Sequence, residues 1–288
     1  MKINPAKILI LVAFPCLLTS CNREHTSRLP DLKECGAGFT GPAFDFLTWN
    51  VHEFPSGGTE SIDHVAALIL NIDADVVALQ EITGSDDFGQ LLNRLPGYRG
   101  LIDGGSDLNL AYLFKKNLIP VSGETEILFE DDPYLFPRPP IRVSVVSPDG
   151  LKFILINLHL KCCEGKENEY RRKMALEKLK SYIGQNLARD RVIVAGDFNE
   201  ALVPGDSGNI FSLFSADSLD FRFADLSIAG GDPSDWSYPD WPSHLDHFLI
   251  TNELFENHLT VTTLKPDECD SLYFECVSDH RPVLLSVY

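Results

Sequence analysis

Residues 192–202 read VIVAGDFNEAL, and this stretch determines where the chain places its functional groups. Four apolar or small residues predict a buried strand, and a glycine, an aspartate and an asparagine follow within four positions. Because side chains two positions apart lie on the same face of an extended chain, Asp197 and Asn199 are expected to point the same way. The pattern predicts a polar site at the end of a buried strand.

The composition of the 288 residues is that of a globular chain with a large core. Hydrophobic residues make up 44% and charged residues 23% of the sequence, which favours one large folded domain over a disordered chain. The 24 basic and 42 acidic residues give a formal net charge of −18, which opposes tight non-specific binding to a polyanion. This charge does not exclude an enzyme acting on nucleic acid, because a cation held by carboxylates reverses the sign locally.

The N-terminus has the layout of an export signal. Lys2 and Lys7 lie at the start of the chain and precede the apolar stretch 8–18. This stretch is too short to span a bilayer comfortably. Residues 18–21, Leu-Thr-Ser-Cys, resemble the lipobox of bacterial lipoproteins, in which the signal is cut before the cysteine and lipid is attached to it. We therefore expect a lipoprotein signal peptide over 1–20 and a lipid on Cys21. An ordinary secretory signal is the alternative.

The segment that follows the signal differs from the rest of the chain. Residues 21–43 are polar and rich in glycine and proline, which is typical of a flexible tether. A folded domain is expected over 44–288. This layout predicts an exported monomer that a lipid at Cys21 anchors to a membrane of the cell envelope, on its periplasmic or surface side.

Export also determines how the cysteines are interpreted, because disulfides persist in oxidising compartments. Beyond Cys21 the exported chain keeps Cys35, Cys162, Cys163, Cys269 and Cys276. Cys269 and Cys276 enclose a short segment and are the expected disulfide pair. A bond between the adjacent Cys162 and Cys163 would be strained, so Cys35 is an alternative partner for either of them.

Strand and helix patterns alternate along the remainder of the chain. Alternating or continuous apolar runs predict strands at 44–49, 76–79, 108–114, 141–147, 152–158, 192–195, 245–250, 259–264 and 282–287. Apolar residues at helical spacing predict helices at 60–70, 88–95 and 166–187. The order lacks a strict βαβ rhythm, so we expect an α+β fold in which sheets pack face to face with helices outside.

Polar side chains occur at or near the boundaries of these apolar runs. The set consists of Asn50, Glu81, His159, Asp197, Asn199, Asp246, Asp279 and His280. Each residue alone has a structural explanation, such as a turn, a helix cap or a buried histidine with a local partner. Independent structural roles would not all fall at strand ends, and the set therefore indicates one shared site.

The residue types in this set suit metal-assisted hydrolysis of a phosphate ester. The oxygens of Glu81, Asp279 and Asn50 are ligands that Mg²⁺ or Mn²⁺ prefers. A cation held there neutralises the charge that develops on phosphorus. The two histidines titrate near neutral pH and can donate or accept protons.

Seven motifs in a fixed order carry a family resemblance. They are TWNVHEF, LQEI, FPRPPIRV, INLHLK, GDFNEAL, SHLDHFLI and SDHRPV, and they extend from Phe44 to the C-terminus. In this order they resemble the endonuclease/exonuclease/phosphatase superfamily, with its deoxyribonuclease I-like fold. The resemblance implies a four-layered α/β sandwich, in which two mostly antiparallel sheets pack face to face between helical layers. It makes 44–288 a catalytic domain with its site at one edge of the sheets.

The resemblance implies a role for the residues that attack the phosphate. Glu81 becomes the principal cation ligand, and Asn50 and Asp279 assist it. His280 becomes the general base that takes a proton from the attacking water, and Asp246 orients the imidazole.

The resemblance also assigns the residues around the scissile bond. Asp197 and Asn199 hold the nucleophile and a phosphate oxygen or second cation. His159 lies near the leaving oxygen as a donor or acid, and Asp107 is a candidate for its carboxylate partner. Arg138 contacts the phosphate; the alternative is a loop arginine held by its neighbouring prolines.

These assignments predict a divalent-metal-dependent phosphodiesterase that cleaves nucleic acid by water attack, because His159 and Arg138 match the nuclease-like branch. A lipid-directed or inositol-phosphate phosphoesterase of the same fold is the first alternative, since a lipid anchor places the enzyme beside membranes. A surface binding module that has lost its chemistry is the second.

Overall fold

The computed structural model describes residues 44–118, 120–206 and 208–288. The predicted signal and tether, the lipidation of Cys21 and the pairing of Cys35 fall outside the described residues. Within the described ranges, none of the helices combines the length and the apolar character needed to cross a membrane.

Two mixed sheets of six strands each form the centre of the described domain. In chain order the strands are β1 (Phe44–Phe54), β2 (Val76–Ile82), β3 (Tyr98–Ile102), β4 (Asn109–Lys115), β5 (Pro120–Ile127), β6 (Ile141–Val146), β7 (Lys152–His159), β8 (Val192–Asp197), β9 (Phe221–Phe223), β10 (Asp246–Thr251), β11 (Leu259–Thr263) and β12 (Val283–Val287). The first sheet has the order β11-β12-β1-β2-β4-β3, and the second has the order β5-β6-β7-β8-β10-β9.

Most neighbouring strands run antiparallel, but each sheet contains one parallel pair. β1 lies parallel to β2 in the first sheet, and β7 lies parallel to β8 in the second. The carboxyl ends of a parallel pair meet at the same edge of a sheet. The two parallel pairs therefore bring four strand ends to the polar edge of the molecule.

The helices complete four layers. In chain order they are α1 (Thr59–Ile72), α2 (Ser85–Arg94), α3 (Lys166–Asn186), α4 (Ser212–Ser215), α5 (Leu226–Ala229) and α6 (Tyr273–Cys276). α1 and α2 pack on the outer face of the first sheet, whereas α3 packs on the outer face of the second. Apolar side chains of both sheets meet between them. The fold is the predicted sandwich of two sheets between helical layers.

Burial on both faces explains the continuous apolar runs in the central strands. Val76, Val77 and Ala78 in β2 are all buried, although consecutive residues point to opposite faces. Runs of this kind predict strands directly from the sequence.

Two buried amides connect the sheets through the otherwise apolar layer between them. The Gln80 side chain donates from Nε2 to Asn157 Oδ1 at 2.8 Å. The Asn157 amide nitrogen in turn donates to the carbonyl oxygens of Leu79 and Ala111, at 3.0 Å each. These hydrogen bonds join β7 of the second sheet to β2 and β4 of the first, directly beneath the polar edge.

Gly196 is required by the close approach of β7 to β8. A Cβ atom at this position would lie 1.9 Å from the carbonyl oxygen of Leu158, and the residue has φ of 146°. Only glycine avoids the steric overlap and tolerates the backbone conformation. The glycine in the GDFN motif thus lets the end of β8, which carries Asp197, pack closely against β7.

Several elements differ from those that the patterns predict. β3, β5, β9 and the three short helices were not predicted, and β1 continues to Phe54 rather than ending at 49. β5 contains Pro120 and Gly123, which interrupt an apolar pattern, and β9 has only three residues. The predicted helix at 88–95 begins earlier, at Ser85, because two acidic residues in its first turn favour the helix N-terminus.

Candidate active site

The polar edge of the sandwich gathers side chains from both sheets. Asn50 and Glu81 come from the carboxyl halves of β1 and β2, and His159 and Asp197 end β7 and β8. Asp246 begins β10 opposite Asp197, since the two strands are antiparallel and pair in that register. Strand pairing within each sheet, together with the packing of the two sheets face to face, therefore brings the five predicted side chains together.

Asn50 connects the carboxylates of the two sheets. Its amide nitrogen donates to Glu81 Oε1 and to Asp197 Oδ2, at 3.1 Å in both cases. Its amide oxygen accepts a hydrogen bond from the backbone N–H of His52 at 3.0 Å. In this orientation the nitrogen, rather than the oxygen, faces the carboxylates, so coordination of a cation by Asn50 stays a prediction.

Glu81 is directed into the site by an irregular backbone. Its φ of 67° lies in the left-handed region, and the pairing of β2 shifts register at this point with both of its neighbours. Such a conformation costs a non-glycine residue roughly 1–3 kcal/mol and is enriched at functional sites. The backbone N–H of Glu53 donates to Glu81 Oε2 at 2.9 Å and fixes the carboxylate.

Asp197 and Asn199 meet for a reason other than strand alternation. β8 ends at Asp197, and Asn199 adopts a left-handed φ of 51°. The backbone N–H of Asn199 donates to Asp197 Oδ1 at 2.7 Å, and its side-chain amide donates to Asp197 Oδ2 at 3.1 Å. The expectation that the two side chains converge is correct, but a turn that folds back on Asp197 produces it.

Two histidines approach Asp197 from different segments, His159 from the end of β7 and His280 from the loop before β12. His159 Nε2 lies 3.3 Å from Asp197 Oδ2 and 3.8 Å from Glu81 Oε1. His280 Nε2 lies 3.9 Å from the same oxygen of Asp197. Both imidazoles are almost completely buried. One carboxylate oxygen therefore faces two nitrogens that can carry protons.

His280 is held in place at both its ring and its backbone. Its Nδ1 lies 2.7 Å from Asp246 Oδ2, and its ring packs on Tyr238 with a centroid distance of 4.8 Å. Its carbonyl oxygen accepts hydrogen bonds from Trp49 Nε1 at 3.2 Å and from the Tyr273 hydroxyl at 2.5 Å. The predicted His280–Asp246 pair is thus present, and Nε2 faces the site.

The charges at this edge shift the pKa values of its members. Burial lowers the pKa of His280, but the carboxylates of Asp246, Asp197 and Asp279 outweigh it and raise the pKa to about 10. Burial, together with the charge of Glu81, raises the pKa of Asp279 above its ordinary value against the opposing charges of His280 and His52. A cation bound among the carboxylates would act on both groups in the opposite direction.

Glu81 and Asp197 remain ionised despite their burial. Burial raises the pKa of Glu81, but the charge of His159 and the Asn50 amide outweigh it, and the net pKa is lowered. Burial also raises the pKa of Asp197, but His159 and His280 outweigh it and hold that pKa well below its usual range. The two carboxylates are therefore anionic ligands at neutral pH.

Arg138 lies behind the end of β7. Its Nε donates to the carbonyl oxygen of His159 at 3.2 Å, and its Nη2 donates to that of Leu160 at 2.7 Å. Burial lowers its pKa, although the charges of Asp197 and Glu81 oppose the effect. The structure shows an arginine that supports the strand end; its contact with a phosphate stays a prediction.

The suggested partner of His159 is wrong. His159 Nδ1 is buried and has no hydrogen-bond partner among the described residues, whereas Asp107 is exposed to solvent. Asp107 lies in the loop that connects β3 and β4, the two strands at one side of the first sheet. No sequence pattern indicates this, because a loop position cannot be located from local periodicity.

His52 is a site residue that the sequence patterns did not identify. Its Nδ1 lies 3.4 Å from Asp279 Oδ1 and 4.0 Å from Glu81 Oε2. The signal available in the sequence was its position two residues after Asn50, at the mouth of the same strand end. Its neighbour on the chain, Glu53, also acts in the site through its backbone.

A second cluster of titratable groups lies outside this edge. Asp225, His244 and His247 are buried, and their ligand atoms lie within 4.8 Å of one another, a spacing that a metal ion could use. However, Asp225 Oδ2 lies 2.6 Å from His247 Nδ1 and 3.1 Å from His244 Nε2. The other nitrogens contact the Glu200 carbonyl and the Ser237 backbone N–H. Because protein partners occupy every ring nitrogen, we assign this cluster a structural role.

The described cysteines differ in their state. Cys269 and Cys276 are both disulfide-bonded, whereas Cys162 and Cys163 are free. The bond between Cys269 and Cys276 themselves stays a prediction.

The residues at the polar edge suit a divalent cation. Asp279 Oδ1 is buried without a hydrogen-bond partner among the described residues, and the anionic Glu81 lies on the other side of His52. An unpartnered buried carboxylate oxygen is costly unless a cation or water satisfies it. The donor set consists of hard oxygen ligands, which fits Mg²⁺ or Mn²⁺.

A family model matches residues 47–280, which include every member of this edge. The chain belongs to the endonuclease/exonuclease/phosphatase family. Members of this family are phosphoesterase hydrolases, so membership supports phosphoester chemistry at the site. A comparison with curated proteins gave no match.

Solved structures of the family share the fold. A humanised TDP2 from D. rerio is 16% identical, with a TM-score of 0.66 over 85% of this chain and 99% of that chain. The human Nocturnin catalytic domain is 20% identical, with a TM-score of 0.60 over 86% and 93%. A family protein from Bacteroides vulgatus is 16% identical, with a TM-score of 0.62 over 86% and 98%.

Proposed function

We propose that the protein is a divalent-cation-dependent phosphodiesterase that hydrolyses nucleic acid by direct attack of water. One observation carries the proposal. The nitrogens of two imidazoles, His159 at the end of β7 and His280 in the loop before β12, face the same oxygen of Asp197 beside the Glu81 carboxylate. Hydrolysis of a diester needs proton transfer at both ends of the reacting phosphorus, and this arrangement supports both transfers.

Glu81 and Asp279 are the residues that would hold the cation. When bound, it supplies positive charge that neutralises the developing charge on phosphorus. Asn50 fixes the position of Glu81 by donating to its Oε1, and Glu53 fixes the other oxygen. The carboxylates are therefore positioned before any ligand arrives, which lowers the reorganisation needed during the reaction.

His280 acts as the general base in this proposal. The role needs the neutral imidazole, which a cation bound among the carboxylates would favour by opposing the raised pKa of His280. In that form Nε2 takes the proton of the attacking water, and Asp246 stabilises the resulting imidazolium through Nδ1. Asp197 and Asn199 orient the water and a phosphate oxygen. The tight hydrogen bonds between these two residues keep both side chains at the strand end.

His159 donates a proton to the leaving oxygen. Its ring, at the end of β7, contacts Asp197 and Glu81, whereas His280 lies in the loop before β12. Arg138 supports this strand end through the carbonyl oxygens of His159 and Leu160, and in this proposal it would also contact the phosphate.

A nucleic-acid substrate is favoured by the similar structures. One D. rerio TDP2 structure of this fold, 15% identical to the chain, was solved in complex with a single-strand DNA product. The overall net charge of −18 repels a nucleic-acid substrate, so the cation and Arg138 must provide attraction at the site itself. The lipid-directed phosphoesterase remains the second candidate, and the predicted anchor at Cys21 is the observation that favours it.

The deciding experiment assays the purified full chain, in detergent, on plasmid DNA, RNA, sphingomyelin vesicles and soluble inositol phosphates. Each substrate is tested with Mg²⁺, Mn²⁺ or EDTA. We expect cleavage of nucleic acid that EDTA abolishes and that Glu81→Gln shifts to higher cation concentrations, because one charged ligand is lost. His258→Ala, remote from the site, is the matched control.

Each contrary outcome has a defined meaning. Turnover of only sphingomyelin or inositol phosphate would replace the nucleic-acid assignment with the second candidate. Full activity in EDTA would contradict the cation requirement. Binding of a substrate without turnover of any would leave the non-catalytic binding module.

We also propose that residues 1–20 are a lipoprotein signal, that Cys21 carries lipid and that 21–43 tethers the domain over 44–288 to an envelope membrane. Labelling of expressing cells with radioactive fatty acid should mark the wild type and Cys35→Ala. It should not mark Cys21→Ala, and equal labelling of all three would exclude the anchor.

A further inference from the structure

His52 occupies the gap between the two carboxylates proposed to hold the cation. Its Nδ1 is 3.4 Å from Asp279 Oδ1 and 4.0 Å from Glu81 Oε2. Its side chain is 47% exposed, so it lines the mouth of the site rather than the core. Two ligands of one ion at metal–ligand distances of about 2.0–2.2 Å lie roughly 3–4.3 Å apart. Each of the two distances is therefore compatible with His52 and one carboxylate oxygen binding the same cation.

The backbone conformation around His52 fixes the position of the imidazole. His52 and Glu53 both have left-handed φ values, 42° and 44°, which are uncommon for residues other than glycine. In this conformation the His52 N–H reaches Asn50 Oδ1, and the Glu53 N–H reaches Glu81 Oε2. The same turn that fixes Glu81 thus directs the imidazole toward Asp279.

A hydrogen bond to Asp279 does not account for the position of His52. Among the residues that the structure describes, Asp279 Oδ1 has no hydrogen-bond partner, although His52 Nδ1 is its near neighbour. The two atoms are close but are not aligned for a proton to lie between them. A shared ion between the nitrogen and the oxygens satisfies all three groups.

We propose that His52 is a nitrogen ligand of the cation at Glu81 and Asp279, and that it makes the site favour a first-row transition ion such as Mn²⁺ over Mg²⁺. This inference rests on the proposed cation site and names its occupant more closely. Mg²⁺ strongly prefers oxygen ligands, whereas imidazole is a good ligand for transition ions. Replacement of one oxygen by nitrogen therefore weakens Mg²⁺ more than Mn²⁺.

The first test measures cation binding directly. Titration calorimetry with Mn²⁺ and with Mg²⁺ is carried out on the full chain and on His52→Ala, His52→Asp and His258→Ala. We expect His52→Ala to weaken Mn²⁺ binding by at least about tenfold, because partners outside the ligand shell already change affinity about 10–100-fold. Mg²⁺ binding should change much less, and His258→Ala should match the wild type.

His52→Asp separates a ligand from a positive charge. It returns an oxygen ligand to the same place, so the preference for Mn²⁺ over Mg²⁺ should fall while binding is retained. If His52 instead opposes the cation as a charged neighbour, both His52 variants will bind Mn²⁺ more tightly than the wild type. That result would overturn the proposal.

A spectroscopic measurement identifies the nitrogen without any turnover. Pulsed electron paramagnetic resonance of bound Mn²⁺ should show nitrogen coupling in the wild type and none in His52→Asp. Coupling that persists in His52→Asp would assign the nitrogen to another histidine, such as His159, and contradict the inference.

These measurements also keep the two proposals apart. Nitrogen coupling from His52 without hydrolysis of any phosphodiester would support the ligand and reject the function. Cation-dependent hydrolysis with unchanged Mn²⁺ affinity in His52→Ala would support the function and reject the ligand.

Discussion

Two histidine–aspartate assemblies lie back to back on β10, and they use the same residue types for different purposes. Asp246 and His247 are consecutive, so their side chains point to opposite faces of the strand. Asp246 pairs with His280 at the polar edge. His247 points away from that edge, pairs with Asp225 and packs among phenylalanine rings, including Phe198 and Phe211.

The difference between the assemblies lies in the second ring nitrogen. His247 Nε2 is 3.0 Å from the carbonyl oxygen of Glu200, so both of its nitrogens have protein partners. For His280 Nε2, the contact found within the described part of the chain is the more distant Asp197 carboxylate, at 3.9 Å. A histidine can exchange a proton with a substrate only where one nitrogen remains accessible to it. Pairing with a buried aspartate is therefore no sign of catalysis by itself.

The largest effect is expected from removal of the buried aspartate. Asp225→Ala leaves two buried histidines without their acceptor, and loss of one partner of a buried ion pair costs about 3–5 kcal/mol. Urea unfolding should show this loss, while the folded fraction keeps its hydrolysis rate. A stable Asp225→Ala variant without activity would place the cluster in the reaction and remove the contrast between the two assemblies.

The next effect concerns the catalytic assembly. His280→Ala should lower kcat on the order of 10²-fold or more, and Asp246→Asn by less, because one change removes the base and the other its orienter. Stability should change little by comparison with Asp225→Ala. Because the two residues act as a unit, the double variant should be little slower than His280→Ala alone. Near wild-type rates for His280→Ala would reject the assignment of the base.

A smaller and more selective effect is expected from His159→Ala. The variant should slow a diester with an alkoxide leaving group at least about tenfold more than one with nitrophenolate, which departs without a proton. Steady-state rates on the two substrates give the ratio. Equal slowing of both would make His159 a phosphate-binding group rather than an acid.

The smallest effect is the pH dependence of stability that the structural assembly contributes. Asp225 raises the pKa of His247 above that of the unfolded chain, against the opposing effect of burial. Because the pKa of His247 is higher in the folded than in the unfolded protein, its protonation stabilises the fold. This contribution is complete at pH values below the pKa of the unfolded state, and it is lost as pH rises through the pKa of the folded state. The free energy of unfolding should therefore fall above neutral pH more steeply in wild type than in His247→Gln. Identical slopes in urea titrations would show that His247 is neutral when folded.

The sequence predicted the parts of this site that depend on strand ends. Long apolar runs located β1, β2, β7, β8 and β10, because strands buried on both faces consist mainly of apolar residues until they reach an edge. The ordered motifs then identified the residues that follow those runs. Both kinds of signal are local along the chain, which is why they could be detected without coordinates.

The remainder depends on geometry that local patterns do not encode. Asn199 reaches Asp197 through a turn, His52 reaches Asp279 through two left-handed residues, and Asp107 lies in an exposed loop. Edge strands such as β5 and β9 were missed because a short or glycine-containing strand lacks an apolar period. These features arise from backbone conformation and from contacts between distant segments, rather than from composition.

The amide contacts of Gln80 and Asn157 decide how the two halves of the site are aligned. Glu81 lies on the first sheet and Asp279 and His280 on the loop before its strand β12, whereas His159, Asp197 and Asp246 lie on the second sheet. Apolar contacts between the sheets carry no direction of their own. Hydrogen bonds at 2.8 and 3.0 Å have a preferred length and angle, so they favour a single offset of one sheet on the other. Two buried, uncharged residues thus help to set the distance between His280 and His159, the proposed base and acid.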